Sequence, residues 1–440
     1  MAGRPEVATA AGATPGGSRE RPKDRKQRIA AHAARLFTER GYHAVRMEDI
    51  AAADGITVRA LYRHYPHKQA LLAHVVRAGQ GAYRAAFEAA AGRWPGPAGT
   101  DGLLAGLIGA ATRTHGYAVL HRREARYLVP QDREQVLGRL FDLVARAAEQ
   151  IGSERDGDGA GPAAELRAWA LVTALAGPAE QGVTAPRAEL VPVLDAVARA
   201  LLAVPITVPI TVPITVPITV PITVPAAARP AGPPAMASRR EQLLAVAAAA
   251  FHRGGYPEVG IGEIGREAGI AGPALYRYFP TKLDILVTLC RRHDERSTLE
   301  TSRALRAAAP REALSGLVEG LVRLALEDPD LVAVGHTEVL HLPPELAEQL
   351  LRNREDRVAE WRERLRQARP ELSAPAARVL VASAMAVVEN VAQVPGVAGR
   401  CGMRRPLVEL ATAALYAPLP DNPSLTPRER PERPRPARRG

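Results

Sequence analysis

The sequence predicts an all-α chain made of two copies of one unit, and three observations carry that reading. The stretch Gly55-Ile56-Thr57-Val58-Arg59-Ala60-Leu61-Tyr62-Arg63-His64-Tyr65-Pro66-His67-Lys68 returns as Gly269-Ile270-Ala271-Gly272-Pro273-Ala274-Leu275-Tyr276-Arg277-Tyr278-Phe279-Pro280-Thr281-Lys282, at an offset of 275 − 61 = 214 residues. The same offset pairs Gly41-Tyr42 with Gly255-Tyr256, Leu128 and Pro130 with Leu342 and Pro344, and Pro192 with Pro406. The apolar residues between these landmarks recur at helical spacing, and no alternating strand pattern bounded by hairpin turns is present.

The first 23 residues are rich in Gly, Pro and Ala, end in Arg19, Arg21 and Lys23, and are expected to form a disordered arm. They hold no continuous apolar core, so they do not read as a secretory signal. Asp24 followed by Gln27 resembles a helix N-cap, and Ile29, Ala33, Leu36 and Phe37 continue one helical apolar stripe. Gly41 ends that helix. Met47 to Ala53 forms a short second helix, with Ile50 inward and Ala51 small enough for a close crossing. Gly55 supplies a left-handed cap, and Thr57 caps a third helix that Tyr65-Pro66 terminates. A short helix, a tight Gly turn and a second short helix braced by a longer one is a helix-turn-helix. Residues 24–70 therefore form a first head.

Residues 71–203 read as a helical body, beginning with a long helix from Lys68 to Ala91. The body breaks at Trp94-Pro95-Gly96-Pro97, at Pro130 and across Gly152 to Gly161. Residues 204–237 form a linker, of which 204–225 repeat Val-Pro-Ile-Thr. The prolines forbid a helix or an interior strand, leaving an extended, polyproline-like spacer of about 3.1 Å per residue. Ala200 to Ala228 is uncharged and long enough to span a bilayer. Each proline in a helix interior costs about 3 kcal/mol, so the span is rejected and no membrane partner is expected. The second head occupies 238–284, opening on Ser238 and Glu241 as a capping box, with Leu243, Ala247 and Phe251 repeating the first stripe. A second body takes 285–420, and 421–440 is a basic Pro/Arg tail expected to be disordered.

Composition narrows the function. The chain has 440 residues, 58 Lys and Arg against 47 Asp and Glu, and a formal charge of +11. That balance favours a polyanionic partner. Cys290 and Cys401 support neither a disulfide framework nor a zinc site, so a reducing, cytoplasmic setting is expected.

Phe37, Gly41-Tyr42, Ile50-Ala51, Gly55-Ile56 and Leu61 to Lys68 resemble the N-terminal signature of TetR-family transcriptional regulators. Phe251, Gly255-Tyr256, Ile264, Gly269-Ile270 and Leu275 to Lys282 resemble it again. The resemblance implies two tandem TetR-like units, each a three-helix DNA-binding head plus a helical body that binds ligand and dimerises through its last two helices. In the first head Arg46, Thr57, Val58, Arg59, Tyr62, Arg63, His64 and Lys68 are the expected DNA contacts. Arg59 has the geometry for bidentate hydrogen bonding to guanine, and Tyr62 and Lys68 match family positions that touch phosphate. In the second head the corresponding set is Gly272, Pro273, Tyr276, Arg277, Tyr278 and Lys282. There Ala271 and Gly272 replace the usual Ser or Thr cap and basic residue. Gly262 and Gly265 also weaken its second helix by about 1 kcal/mol each, so weaker binding is expected.

Other motifs read more plainly as structure. Gly260-Ile261-Gly262-Glu263-Ile264-Gly265 spells a dinucleotide fingerprint but lies in a helix-turn-helix, without the strand that would aim it at a pyrophosphate. His336, Glu338 and His341 do not share one helix face, so a pocket or surface role is favoured over a metal. No cofactor and no catalytic constellation is read, and an enzyme is not expected. Trp169, Trp361, Glu338, Glu389 and Asn390 stand on apolar helices, as packing groups or as the lining of an effector pocket. The expected function is an effector-released repressor binding a double-stranded operator and a small apolar effector. Its halves pair within one chain as a pseudo-dimer, or between chains as a homodimer. The alternative is a small-molecule-binding protein whose DNA binding has decayed in one or both heads.

Overall fold

The computed structural model describes residues 22–92, 99–155, 161–206, 238–270, 272–394, 397 and 402–420, and among them all regular structure is helical. The arm before residue 22, the break at Trp94 to Pro97, residues 156–160 of the Gly-rich break, the repeat linker from 207 and the tail from 421 lie outside the described residues.

In the first half α1 (Pro22–Arg40), α2 (Met47–Asp54) and α3 (Val58–His64) form the head. α4 (Lys68–Ala91), α5 (Gly99–Arg113) and α6 (His115–Glu124) follow, and α6 tightens into a 3-10 turn at Ala125–Tyr127. α7 (Pro130–Arg155), α8 (Pro162–Glu180) and α9 (Arg187–Ala203) complete the half. The second half repeats the order with α10 (Arg239–Gly254), α11 (Ile261–Glu267), α12 (Gly272–Leu275), α13 (Lys282–Ala304), α14 (Pro310–Glu327) and α15 (Pro329–Thr337). A 3-10 turn at Val339–His341 then leads to α16 (Pro344–Ala368), α17 (Ala374–Val391) and α18 (Arg404–Leu415). The offset survives in detail: both 3-10 turns sit 214 residues apart, and Pro130 and Pro344 each open a long helix, where a missing N–H costs nothing.

Each head has its own core. Ile29, Ala33 and Phe37 on α1 close over Ile50 and Leu61, while Leu71, Leu72 and Val76 tie α4 to them. Leu243, Ala247 and Phe251 do the same over Ile264 and Leu275, with Ile285 and Leu286 from α13. Two cap expectations are corrected. α1 begins at Pro22, so Asp24 lies inside the helix rather than at its cap. Ser238 is the N-cap of α10 but makes no side-chain cap bond, and the Glu241 carboxylate that would complete the box accepts from Arg292 on α13 at 2.5 and 2.9 Å.

The bodies do not have separate cores. Trp169, Leu171, Leu175, Val197 and Leu201 from α8 and α9 share one cluster with Leu380, Val387, Val391, Leu407 and Leu410 from α17 and α18. α8 lies so close to α17 that a Cβ on Gly177 would stand 2.6 Å from the Ala382 carbonyl and 2.6 Å from Ala386 Cβ. Alanine on one helix and glycine on the other permit that approach. Ala374–Val391 is long and apolar enough to cross a membrane, yet 78% of that stretch is buried in the protein. Its hydrophobicity is explained by this shared core.

Candidate nucleic-acid interface

The first head displays its third helix through local chemistry. Gly55 adopts φ 69°, and its N–H closes on Ala52 O at 3.2 Å, turning the chain sharply after α2. Thr57 stands at the N-cap, where its hydroxyl accepts the Ala60 N–H at 3.2 Å. Leu61 is fully buried beneath α3, which turns the other face outward. Arg59, Tyr62 and Arg63 are exposed on α3, Tyr62 at 47%. Thr57 is exposed beside them, and Val58 and His64 are half-buried. Arg46 is exposed just before α2, its N–H bound to Asp49 Oδ2 at 2.8 Å. Asp54 at the end of α2 is bound by Arg28 of α1 at 2.8 Å, which fixes the angle between those helices.

The second head departs from this. α12 covers only Gly272–Leu275, so Tyr276, Arg277 and Tyr278 lie in the turn beyond it instead of on a recognition helix. Arg277 N–H bonds to Ala274 O at 3.3 Å and Tyr278 N–H to Leu275 O at 2.9 Å, both tight i to i−3 contacts. The sequence explains the shortening: Ala271 stands at the Thr57 position and has no side-chain oxygen to cap with, and Gly272 disfavours helix. The side chain of Pro273 lies outside the described residues. Tyr276 (53% exposed), Tyr278 (40%) and Arg277 still face outward.

Lys68 and Lys282, expected at phosphate, are engaged inside the heads. Lys68 Nζ donates to Val45 O at 2.7 Å and His43 O at 3.4 Å, and lies 4.2 Å from the Tyr42 ring centroid. Lys282 Nζ donates to Tyr256, Val259 and Pro257 carbonyls at 2.8, 3.0 and 3.3 Å, over the Tyr256 ring at 4.4 Å. An ammonium has three donors, and three carbonyls use all of those on Lys282. Burial lowers both lysine pKa values. Each lysine thus clamps the loop between the first and second helices of its head. The sequence signal for this was the tyrosine that follows each glycine, a cation–π partner for the lysine.

The heads are tied to the bodies by a second repeated contact. Glu124 Oε2, at the end of α6, accepts the Tyr42 N–H at 3.1 Å, and Glu338 Oε2 accepts the Tyr256 N–H at 3.2 Å. Both carboxylates are buried. Glu338 therefore holds the loop of its own head, and Arg126 from the other half pairs with it. His341 stands 3.6 Å from Glu338, while His336 lies elsewhere, 3.3 Å from Glu389. Among the described residues no group of three or more His, Cys, Asp or Glu has a metal-holding arrangement.

Between the bodies lies a polar junction that sequence reasoning did not foresee. Arg122 on α6 binds Glu180 at 2.5 Å, and Asn390 Nδ2 donates to the same carboxylate at 3.0 Å. Arg122 also approaches His336 at 3.4 Å and Glu389 at 3.8 Å. No spacing within either half predicts it, because each half supplies only part.

Two exposed or partly exposed basic heads on a joined helical body define a paired helix-turn-helix protein. Residues 29–75 and 243–289 each match the family described as bacterial regulatory proteins, tetR family. Two stretches of the chain, 214 residues apart, thus match the N-terminal domain of that family. It is 34% identical over 99 residues to the HTH-type transcriptional repressor KstR of Mycolicibacterium smegmatis, covering 22% of this chain and 48% of that protein. It is 35% identical over 82 residues to the HTH-type transcriptional activator FasR of the same organism, covering 18% and 37%. The chain thus spans about half the length, or less, of these curated relatives. Among solved structures, a TetR-like transcriptional regulator from Rhodococcus sp. RHA1 aligns at 25% identity and TM-score 0.36, covering 42% of this chain and 99% of that one.

Proposed function

We propose that this chain is a DNA-binding transcriptional regulator of the bacterial cytoplasm, a repressor whose operator complex is released by a small molecule. The observation that supports it best is the capped first recognition helix with Arg59, Tyr62 and Arg63 exposed on one outward face. An arginine there reaches base edges in a major groove, and the +11 chain adds the general attraction to phosphate. We assign Arg46, Thr57, Arg59, Tyr62, Arg63 and His64 to DNA, and Lys68 and Lys282 to holding the heads in shape. In the second head Tyr276, Arg277 and Tyr278 are the DNA candidates.

The common core of α8, α9, α17 and α18 favours pairing of the halves within one chain, a pseudo-dimer carrying two unlike heads. Unlike heads call for an operator with two unlike half-sites. A second reading is favoured by the shortened α12: the first head supplies most of the affinity, and the second has partly decayed. A DNase footprint on the DNA upstream of the chain's own gene, at near-physiological salt, tests both. Two unlike protected half-sites are expected. Protection of a single half-site would favour the decayed second head, and no protection, with equally feeble binding to bulk DNA, would reject a DNA-binding function.

A further inference from the structure

The two bodies have diverged inside. A cavity of about 50 Å³ lies in the second body among α13, α14, α15, α16 and α17, with His293, His336, Arg354 and Glu389 at its polar end and Trp361 and Met385 on its apolar side. Subtracting the 214 offset places Gly79 at the position of His293, Leu140 at Arg354, Leu143 at Arg357, Ala147 at Trp361 and Leu175 at Glu389. Although Arg122 stands at the position of His336, the first half carries no polar side chain at these five positions. Its interior is also filled differently: a Cβ on Gly79 would meet the Tyr117 ring at 2.8 Å, so the place of the His293 side chain is taken by an aromatic ring.

The polar end leaves hydrogen bonds unmade at His293 Nδ1 and Glu389 Oε2. Arg357 is committed to Asp294 at 2.5 Å and Thr298 at 3.1 Å, and Glu300 is held by Arg303 and Arg323. Arg354 is held more loosely, paired with Glu389 at 4.0 Å, beyond hydrogen-bond reach. His293 is 7% exposed and its Nδ1 has no hydrogen-bond partner. A buried donor left unmade is costly, and a ligand oxygen removes that cost. Glu389 Oε2 is likewise buried without a hydrogen-bond partner, but Arg122, Arg354 and His336 stand around it at 3.8, 4.0 and 3.3 Å and meet its charge.

We propose that the chain has one effector site, in the second body, and that it takes a short-chain carboxylate. The anion sits on Arg354 and His293, and the hydrocarbon lies against Trp361 and Met385. A cavity of this volume holds a few water-sized groups, which limits the ligand to a few carbons. The expected apolar effector thereby gains an acidic end. Only the regulatory consequence rests on the regulator reading: a carboxylate that draws Arg354 away from Glu389 alters the charges facing Arg122, and so the first half.

The test uses the full chain with Trp94→Phe and Trp169→Phe, leaving Trp361 as the fluorescent reporter among the three tryptophans. Butyrate should change Trp361 emission saturably and bind with one equivalent per chain by calorimetry. Butyramide, its neutral isostere, and the Arg354→Met variant should bind at least about tenfold more weakly, and Arg354→Lys should fall between. Absence of saturable butyrate binding, two equivalents per chain, or equal binding of butyramide would each overturn the site. Should Arg354→Met fail to fold, the butyramide comparison decides alone. Butyrate binding with unchanged DNA affinity would leave the site standing and reject the regulatory reading.

Discussion

Arg122 and His336 occupy equivalent positions in the two halves, 214 residues apart, and their side chains meet at 3.4 Å. The meeting is between unlike groups, and each brings its own acid: Arg122 binds Glu180 at 2.5 Å and His336 faces Glu389 at 3.3 Å. A pair made from two first halves would set arginine against arginine at this point. The junction therefore favours the pairing of unlike halves, which is what one chain contains.

Removing Arg122 tests the junction. Its side chain is 16% exposed and Glu180 is 9% exposed, so Arg122→Met leaves buried carboxylates without their nearest cation. Breaking a buried pair from one side typically costs about 3–5 kcal/mol. Chemical denaturation should show a loss of that order, and Arg122→Met with Glu180→Leu should recover part of it. No loss in the single variant would mean the junction is not formed in solution.

The crossing of α8 and α17 makes a steric prediction. Gly177→Val would push a side chain into the Ala382 carbonyl, where even a Cβ has only 2.6 Å. Overpacking of this kind costs about 1–3 kcal/mol. Gly116→Ala, whose added carbon meets nothing within 4 Å, is the control and should change thermal stability little.

Two basic residues of the first head should separate by assay. Lys68→Met removes the clamp on Val45 and His43 and should lower the melting temperature of the protein. Arg59→Ala should leave stability within about 0.5 kcal/mol, as for an exposed residue, and weaken operator binding by about 1–3 kcal/mol. Arg277→Ala should cost less affinity than Arg59→Ala, because Arg277 lies in a turn beyond α12. The reverse order would place the principal reading surface in the second head.

The buried histidines predict acid sensitivity. Burial, reinforced by Arg357, Arg354 and Arg296, lowers the pKa of His293 to about 3 from an ordinary 6.5. Burial lowers His341 to about 4. Such a histidine takes up its proton more readily when unfolded, so acid favours unfolding. Stability should be level above about pH 6.5 and fall as the pH drops from there toward 4. Urea midpoints measured between pH 4 and 8 check the sign, and His293→Asn should flatten the profile.

Much of the fold is legible in the sequence because its signals are local. Gly55, Thr57 and Pro66 act within a few residues, and the repeat fixes the same elements twice. The lysine clamps are illegible for a physical reason: family likeness marks Lys68 and Lys282 at the edge of the DNA face, while only the fold shows their ammoniums bound to carbonyls 23 to 26 residues earlier. Ser238 and Glu241 fit a capping box locally, but Arg292, 51 residues away, captures the glutamate. The Arg122–Glu180–Asn390 junction is the least legible, since its parts are supplied by both halves.

The central claim is that one chain contains its own pair, and its mass in solution tests this most directly. Light scattering on the full-length protein at micromolar concentration should give the mass of a single chain, 46.9 kDa. Twice that mass, persisting on dilution, would contradict the account and assign the pairing surfaces to a second chain.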